Sequence, residues 1–176
     1  MKARTLLWLF LALPAAWIGT AFATSSMTYG EALSLSGLVS AWLLAATLAI
    51  SPLKSRFPSL MRDRRALGVA MFGYAALHLA IYLTRKWPEA VAKALDPDIL
   101  TGWVALALAL PLALTSTNGW VRRLRKRWGV LHRLVYAVAV LTALHWILTA
   151  FDPTTAYVFA AIIAALLLVR AYRSYR

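Results

Sequence analysis

His78, His132 and His145 are the only histidines in a chain of 176 residues that has no cysteine and just six acidic residues. Each falls within an apolar stretch, where an ionisable side chain is costly and marks a functional position. The chemistry open to an imidazole there is narrow: metal ligation, a proton relay, or a hydrogen bond to a neighbouring helix. Without cysteine there is no disulfide, no thiolate ligand and no ordinary iron–sulfur cluster. The sequence contains no serine–histidine–acid set, no paired intramembrane carboxylates and no zinc-type ligand cluster. Neither a Walker sequence nor a glycine-rich dinucleotide fingerprint is present, so any electrons or hydride must come from a separate donor.

The elements that carry these histidines are membrane spans. Hydrophobic residues make up 62% of the chain, more than a soluble core needs. A hydrocarbon layer about 30 Å thick requires roughly 20 apolar residues of helix. Six stretches approach that length, near residues 6–23, 32–53, 66–83, 99–115, 130–150 and 154–172. The expected fold is all-α, an integral membrane bundle of six helices forming a single domain. Pro14 and Pro111 fall inside spans and read as kinks, because neighbouring helices can satisfy the freed carbonyls. Lys2 and Arg4 followed by an apolar run ending Ala21-Phe22-Ala23 resemble a secretory signal, but the run exceeds the usual signal core and reads as a membrane helix.

Fifteen lysines and arginines lie in the segments at one end of these spans and three at the other, with Arg133 inside span five. The positive-inside rule then places both termini in the cytoplasm. The net charge of +13 is therefore topological. Basic residues split among short segments do not form the continuous patch that nucleic acid requires.

Spans three and five run in the same direction, so depth is comparable by counting. His78 lies 12 residues into its span and His145 lies 15 into its own, about 18 to 23 Å from the basic edge at 1.5 Å per residue. Two imidazoles meet at one level, as a six-coordinate haem iron needs. His132 sits near the basic edge and has no histidine opposite it, only Arg64 or Arg65. Its 13-residue offset from His145 turns the two rings roughly 140° apart on an ideal helix, so a shared face needs a π-bulge, a tilt, or a helix that starts after His132. It could take a propionate, a quinone head group or a flavin phosphate. Arg64, Arg65 and Arg133 are candidate partners for haem propionates. Tyr74 and Tyr82 share a helical face with His78, to flank a macrocycle or fill the bundle. Ser34, Ser36, Gly37, Ser40 and Thr47 in span two read as close-packing positions. The tryptophans near span ends read as an aromatic belt. The loop at 85–98 is the one sizeable segment at the outer face and the place for an external partner to dock.

Three stretches carry a family resemblance: Ser36-Gly37 with TLAISPL at 47–53, RRALGVAMFGYAALHLAIY at 64–82, and LTSTNGWVRRLRKRWGVLHRLVYAVAVLTALHW at 114–146. Across about residues 36–172 the chain resembles the haem-binding membrane subunit of the periplasmic methionine sulfoxide reductase system, within the ferric-reductase-like transmembrane group. The resemblance implies a b-type haem, FMN, a place in the bacterial inner membrane, and a periplasmic molybdopterin methionine sulfoxide reductase as acceptor. It also implies electrons drawn from a cytoplasmic flavin reductase or membrane quinol. By position His78 and His145 match the family's haem histidines, and His132 matches its third, a candidate for a second haem. Trp42 stands where a basic residue is expected, and Asp96-Pro97-Asp98 where a basic, aromatic sequence is usual.

The resulting expectation is a haem conduit in which spans two to five surround the macrocycle. The alternatives are a ferric-reductase-like conduit to another acceptor and, from a different class, a transporter using the histidines as a relay.

Overall fold

The computed structural model describes residues 2–53 and 56–175. Lys54 and Arg176, and the side chains of Lys2 and Arg4, which entered the charge asymmetry, lie outside what it describes. The chain is all-α, and six of its helical stretches are long and apolar enough to cross a membrane. Helix suits this sequence because lipid offers no hydrogen-bonding partner, so each span must satisfy its own backbone.

The helices are α1 (Lys2–Ala23), α2 (Tyr29–Leu53), α3 (Leu60–Ala92), α4 (Pro97–Leu114), α5 (Asn118–Leu124), α6 (Lys126–Leu131), α7 (Leu134–Thr149) and α8 (Thr154–Tyr175). Both α1 and α4 run unbroken through Pro14 and Pro111. Local chemistry sets several boundaries. At the start of α2, Thr28 and Glu31 form a reciprocal capping box: the Glu31 carboxylate accepts from the Thr28 amide at 2.8 Å, and the Glu31 amide donates to the Thr28 hydroxyl at 3.3 Å. Pro97 occupies the first turn of α4, where its missing N–H costs nothing. Asp152 accepts from the Thr154 amide at 2.9 Å, just ahead of α8.

Two boundaries depart from the sequence reading. The third span extends to Ala92, with a kink at Lys86 (φ −118°, ψ 19°) two residues before Pro88. The proline removes one helical hydrogen bond and crowds the preceding turn, which bends the helix without ending it. The fifth span divides into α6 and α7, and His132 caps the end of α6, so α7 starts after it. The helix thus starts after His132, but the break does not bring that histidine into the interior that His145 faces.

The core is built from small residues that let helices approach closely. Ala105 and Ala109 of α4 and Val138, Ala139 and Ala143 of α7 are buried. Ala41, Leu44 and Leu48 of α2 meet Met71 of α3 and Phe159 and Ile163 of α8 in the same cluster. In lipid such packing is driven by van der Waals fit and interhelical hydrogen bonds; Ser40 supplies one, its hydroxyl donating to the Met71 carbonyl at 3.0 Å. Helix α1 lies outside this cluster. Ile18 is buried against α2 and α3, while Leu9, Phe10, Leu13 and Trp17 are exposed and cover themselves with lipid.

Candidate functional site

Helices α2, α3, α4 and α7 enclose a cavity of about 1350 Å³, lined in part by His78, His145, Ala41, Ala75, Leu106 and Ala109. This exceeds the roughly 300–1,000 Å³ of ordinary small-molecule pockets. Alanines at facing positions leave the space open, and α1 contributes Trp17 and Ala21 at the rim. The end opposite the basic segments carries Glu31, Glu89, Asp98 and Asp152.

His78 of α3 and His145 of α7 face each other across this cavity, with ring centres 6.5 Å apart and planes at 89°. His78 Nδ1 lies 2.9 Å from the Leu33 carbonyl oxygen, and His145 Nδ1 lies 2.7 Å from that of Asp98. A carbonyl oxygen only accepts, so each Nδ1 carries the proton. In the neutral ring each Nε2 keeps its lone pair. A hydrogen bond of this kind fixes both tautomer and ring orientation in metal-binding histidines.

The two helices that accept these bonds use the same short device. On α2 the Leu33 carbonyl accepts from His78 and lies 3.0 Å from the Ser36 hydroxyl, whose single proton it shares with the nearer Ala32 carbonyl at 2.8 Å, and the residue after Ser36 is Gly37. On α4 the Asp98 carbonyl accepts from His145 and lies 3.0 Å from the Thr101 hydroxyl, whose single proton it shares with the nearer Pro97 carbonyl at 2.8 Å, and the residue after Thr101 is Gly102. Each glycine leaves room for the ring. A methyl at residue 37 would come within 2.9 Å of His78 Nδ1, and one at residue 102 within 2.8 Å of His145 Cε1. Leu33 to Gly37 and Asp98 to Gly102 are thus equivalent cradles, one for each histidine.

The donor set decides what could be held. Among the described residues no group of three or more histidine, cysteine or acidic side chains could hold a bare metal ion. Two opposed imidazoles suit a metal whose remaining ligands come with it in a macrocycle. Two metal–nitrogen bonds of about 2 Å each, with the distance from nitrogen to ring centre added, put the ring centres roughly 6 Å apart. The observed 6.5 Å fits one metal between the rings, and the size of the cavity fits a haem around it.

The remaining sequence candidates lie elsewhere. His132 Nε2 is 3.0 Å from the Thr115 hydroxyl, and its ring stacks on Trp128 with centres 3.9 Å apart. Thr115 gives its own proton to the Pro111 carbonyl at 2.6 Å, so the His132 Nε2–H is the donor to it. This histidine is absent from the lining of the cavity. Arg64 Nε donates to the Thr47 carbonyl at 3.2 Å, Arg65 Nη1 donates to Asn118 Oδ1 at 2.8 Å, and Arg133 is exposed. None of the three lines the cavity; Arg64 and Arg65 gather with His132 at its basic end. Tyr74 is buried and donates to the Leu11 carbonyl of α1 at 2.8 Å, which makes it a packing residue. Tyr82 does line the cavity. Trp42 packs edge-on against Phe159 of α8 at 5.9 Å and is absent from the cavity lining.

Sequence reasoning missed Leu33, Asp98, Thr101 and Gly102. The available signal was Leu-Ser-Gly at 35–37 and Leu-Thr-Gly at 100–102, a recurrence too short to stand out until the histidines are seen seated on it.

The family described as ferric reductase like transmembrane component matches residues 32–143, a segment that holds both cradles' α2 and α4 and His78 but stops just short of His145. The chain belongs to that family. Within it, it is 39% identical over 159 residues to the protein-methionine-sulfoxide reductase heme-binding subunit MsrQ of Xanthomonas euvesicatoria pv. vesicatoria (strain 85-10), covering 86% of this chain and 73% of that relative. The MsrQ of Xanthomonas oryzae pv. oryzae (strain MAFF 311018) is 41% identical over 145 residues, covering 78% and 66%. That of Brucella ovis (strain ATCC 25840 / 63/290 / NCTC 10512) is 34% identical over 172 residues, covering 92% and 78%. The chain therefore spans between about two thirds and four fifths of these relatives' lengths. No solved structure matches it.

Proposed function

We propose that this chain is the membrane electron-transfer subunit of a methionine sulfoxide reductase system, binding one haem b between His78 and His145. The observation that carries the reading is the pair of Nδ1–carbonyl bonds, which leave both Nε2 atoms bare across a cavity of the right span. When bound, haem supplies reversible one-electron iron chemistry. The chain's own part is to hold two nitrogens at fixed separation, to present apolar walls that keep the local dielectric low, and so to set the potential.

The basic end, with Arg64, Arg65, Arg133 and His132, faces the cytoplasm of a bacterial inner membrane in this proposal. Electrons enter there from a flavin reductase or membrane quinol, and FMN belongs to that side. They leave at the periplasmic end toward a molybdopterin methionine sulfoxide reductase. The relatives' name as heme-binding subunits of a protein-methionine-sulfoxide reductase supports both cofactor and pathway.

A second reading, electron delivery to ferric chelates, draws on the chain's membership of the ferric reductase like transmembrane family. One experiment serves both. Pyridine haemochrome counting on purified protein is expected to give one haem per chain, and close to none for His78→Ala or His145→Ala. Reconstitution with the reductase beside ferric chelate then separates the acceptors; a full haem complement in either variant would reject the site.

A further inference from the structure

At the basic end, Arg64 of α3 and Arg170 of α8 lie where α2 and α7 supply their contacts. Arg170 of α8 lies over the Tyr136 ring of α7, 5.1 Å from its centre. Its Nη1 is buried and makes no hydrogen bond. Arg64 of α3, tethered through Nε to the Thr47 carbonyl of α2, is within Coulomb range of both Arg170 and Tyr136. Among the described residues no ion pair involves either arginine, and Asp63, the acidic residue at this end, bonds to neither. Two part-buried like charges near each other repel, and a buried N–H without an acceptor carries its full desolvation cost. Both penalties vanish if an anion sits between them.

We propose that Arg170 and Arg64 form a binding site for a phosphate group, held by the free edge of the Arg170 guanidinium. Guanidinium matches tetrahedral oxyanions through paired N–H donors. The depth fits a lipid phosphate: Arg170 stands sixteen residues along α8 from Thr154, about 24 Å at 1.5 Å per residue, close to the far edge of a hydrocarbon layer about 30 Å thick. Basic pockets between membrane helices on the cytoplasmic side are where anionic head groups bind. A soluble phosphate-bearing molecule reaching the same edge has the same chemistry. The site is separate from the histidine cavity, whose lining includes neither arginine.

The test uses full-length, haem-loaded protein in detergent. Thermal unfolding is followed with added phosphatidylglycerol, with phosphatidylcholine, and with inorganic phosphate, for the wild type, Arg170→Gln, and Arg122→Gln as a control arginine. Phosphatidylglycerol is expected to raise the midpoint by several degrees over phosphatidylcholine in wild type and Arg122→Gln, and to lose that difference in Arg170→Gln. Arg170→Lys, which keeps the charge but not the fork, is expected to retain part of it and stands in if Arg170→Gln does not fold. A comparable rise with inorganic phosphate assigns the site to free phosphates. Equal shifts in all variants overturn the proposal, as does an Arg170→Gln protein that loses haem yet keeps its lipid response, which would assign the anion to a carboxylate of the cofactor.

Discussion

His145 is anchored to Asp98 by a 2.7 Å bond from ring Nδ1 to backbone carbonyl, across 47 residues of sequence. The side-chain carboxylate of Asp98 takes no part in that bond. Its backbone does, in the first turn of α4, where Thr101 shares the same oxygen. The partner histidine has the matching arrangement with Leu33 and Ser36, so the two halves of the site are held by backbone geometry and not by acid–base pairing.

With a haem held as proposed, the shared carbonyl would tune the electron-donating power of each histidine. Thr101→Val and Ser36→Ala remove the competing hydroxyl and leave the oxygen to the ring. The Nδ1–H bond would then strengthen, the ring would gain anionic character and a bound iron would be favoured in its oxidised form. Because each hydroxyl has a second, nearer acceptor, only a fraction of a hydrogen bond's about 0.5–1.5 kcal/mol reaches the ring, and at about 59 mV per tenfold change for one electron each variant is expected to lower the midpoint potential by roughly 20 mV or less. Redox titration of the haem band checks this; an unchanged potential would remove the hydroxyls from the tuning.

The glycine cradles predict a steric effect. Gly102→Ala and Gly37→Ala put a methyl within 2.8 and 2.9 Å of the rings, closer than atoms tolerate. The rings are pinned by hydrogen bonds and cannot swing aside freely, so overpacking of about 1–3 kcal/mol follows. Haem occupancy should fall in both, whereas Gly73→Ala, where nothing lies within 4 Å, should bind haem as the wild type does.

His132 is predicted to serve structure at the end of α6. His132→Ala loses the bond to Thr115 and the stack on Trp128, a cost of about 1–2 kcal/mol. The expected outcome is a lower unfolding midpoint with the haem count still one per chain. Two haems in the wild type and one in the variant would instead give His132 an iron of its own.

Tyr74→Phe separates packing from cofactor contact. The hydroxyl's bond to the Leu11 carbonyl is worth about 0.5–1.5 kcal/mol, and α1 should dock less firmly. The haem spectrum should not move, since Tyr74 is absent from the cavity lining; a shifted spectrum would place the ring against the macrocycle.

Six apolar runs, their approximate limits and the level of His78 and His145 were legible in the amino-acid sequence, because lipid imposes length, helicity and charge bias residue by residue. The break after His132 was not, because it depends on how neighbouring helices accept a turn that local propensity leaves open; at Lys86 the signal was Pro88, which can end a helix or only bend it, and the sequence does not say which. The azimuth of each histidine, the exclusion of Tyr74 and Trp42 from the cavity, and the use of the Leu33 and Asp98 carbonyls were settled by tertiary packing alone. Depth along a helix follows from counting residues; which backbone oxygen a ring meets depends on the rotation and approach of two helices distant in sequence, and no single-helix pattern encodes that.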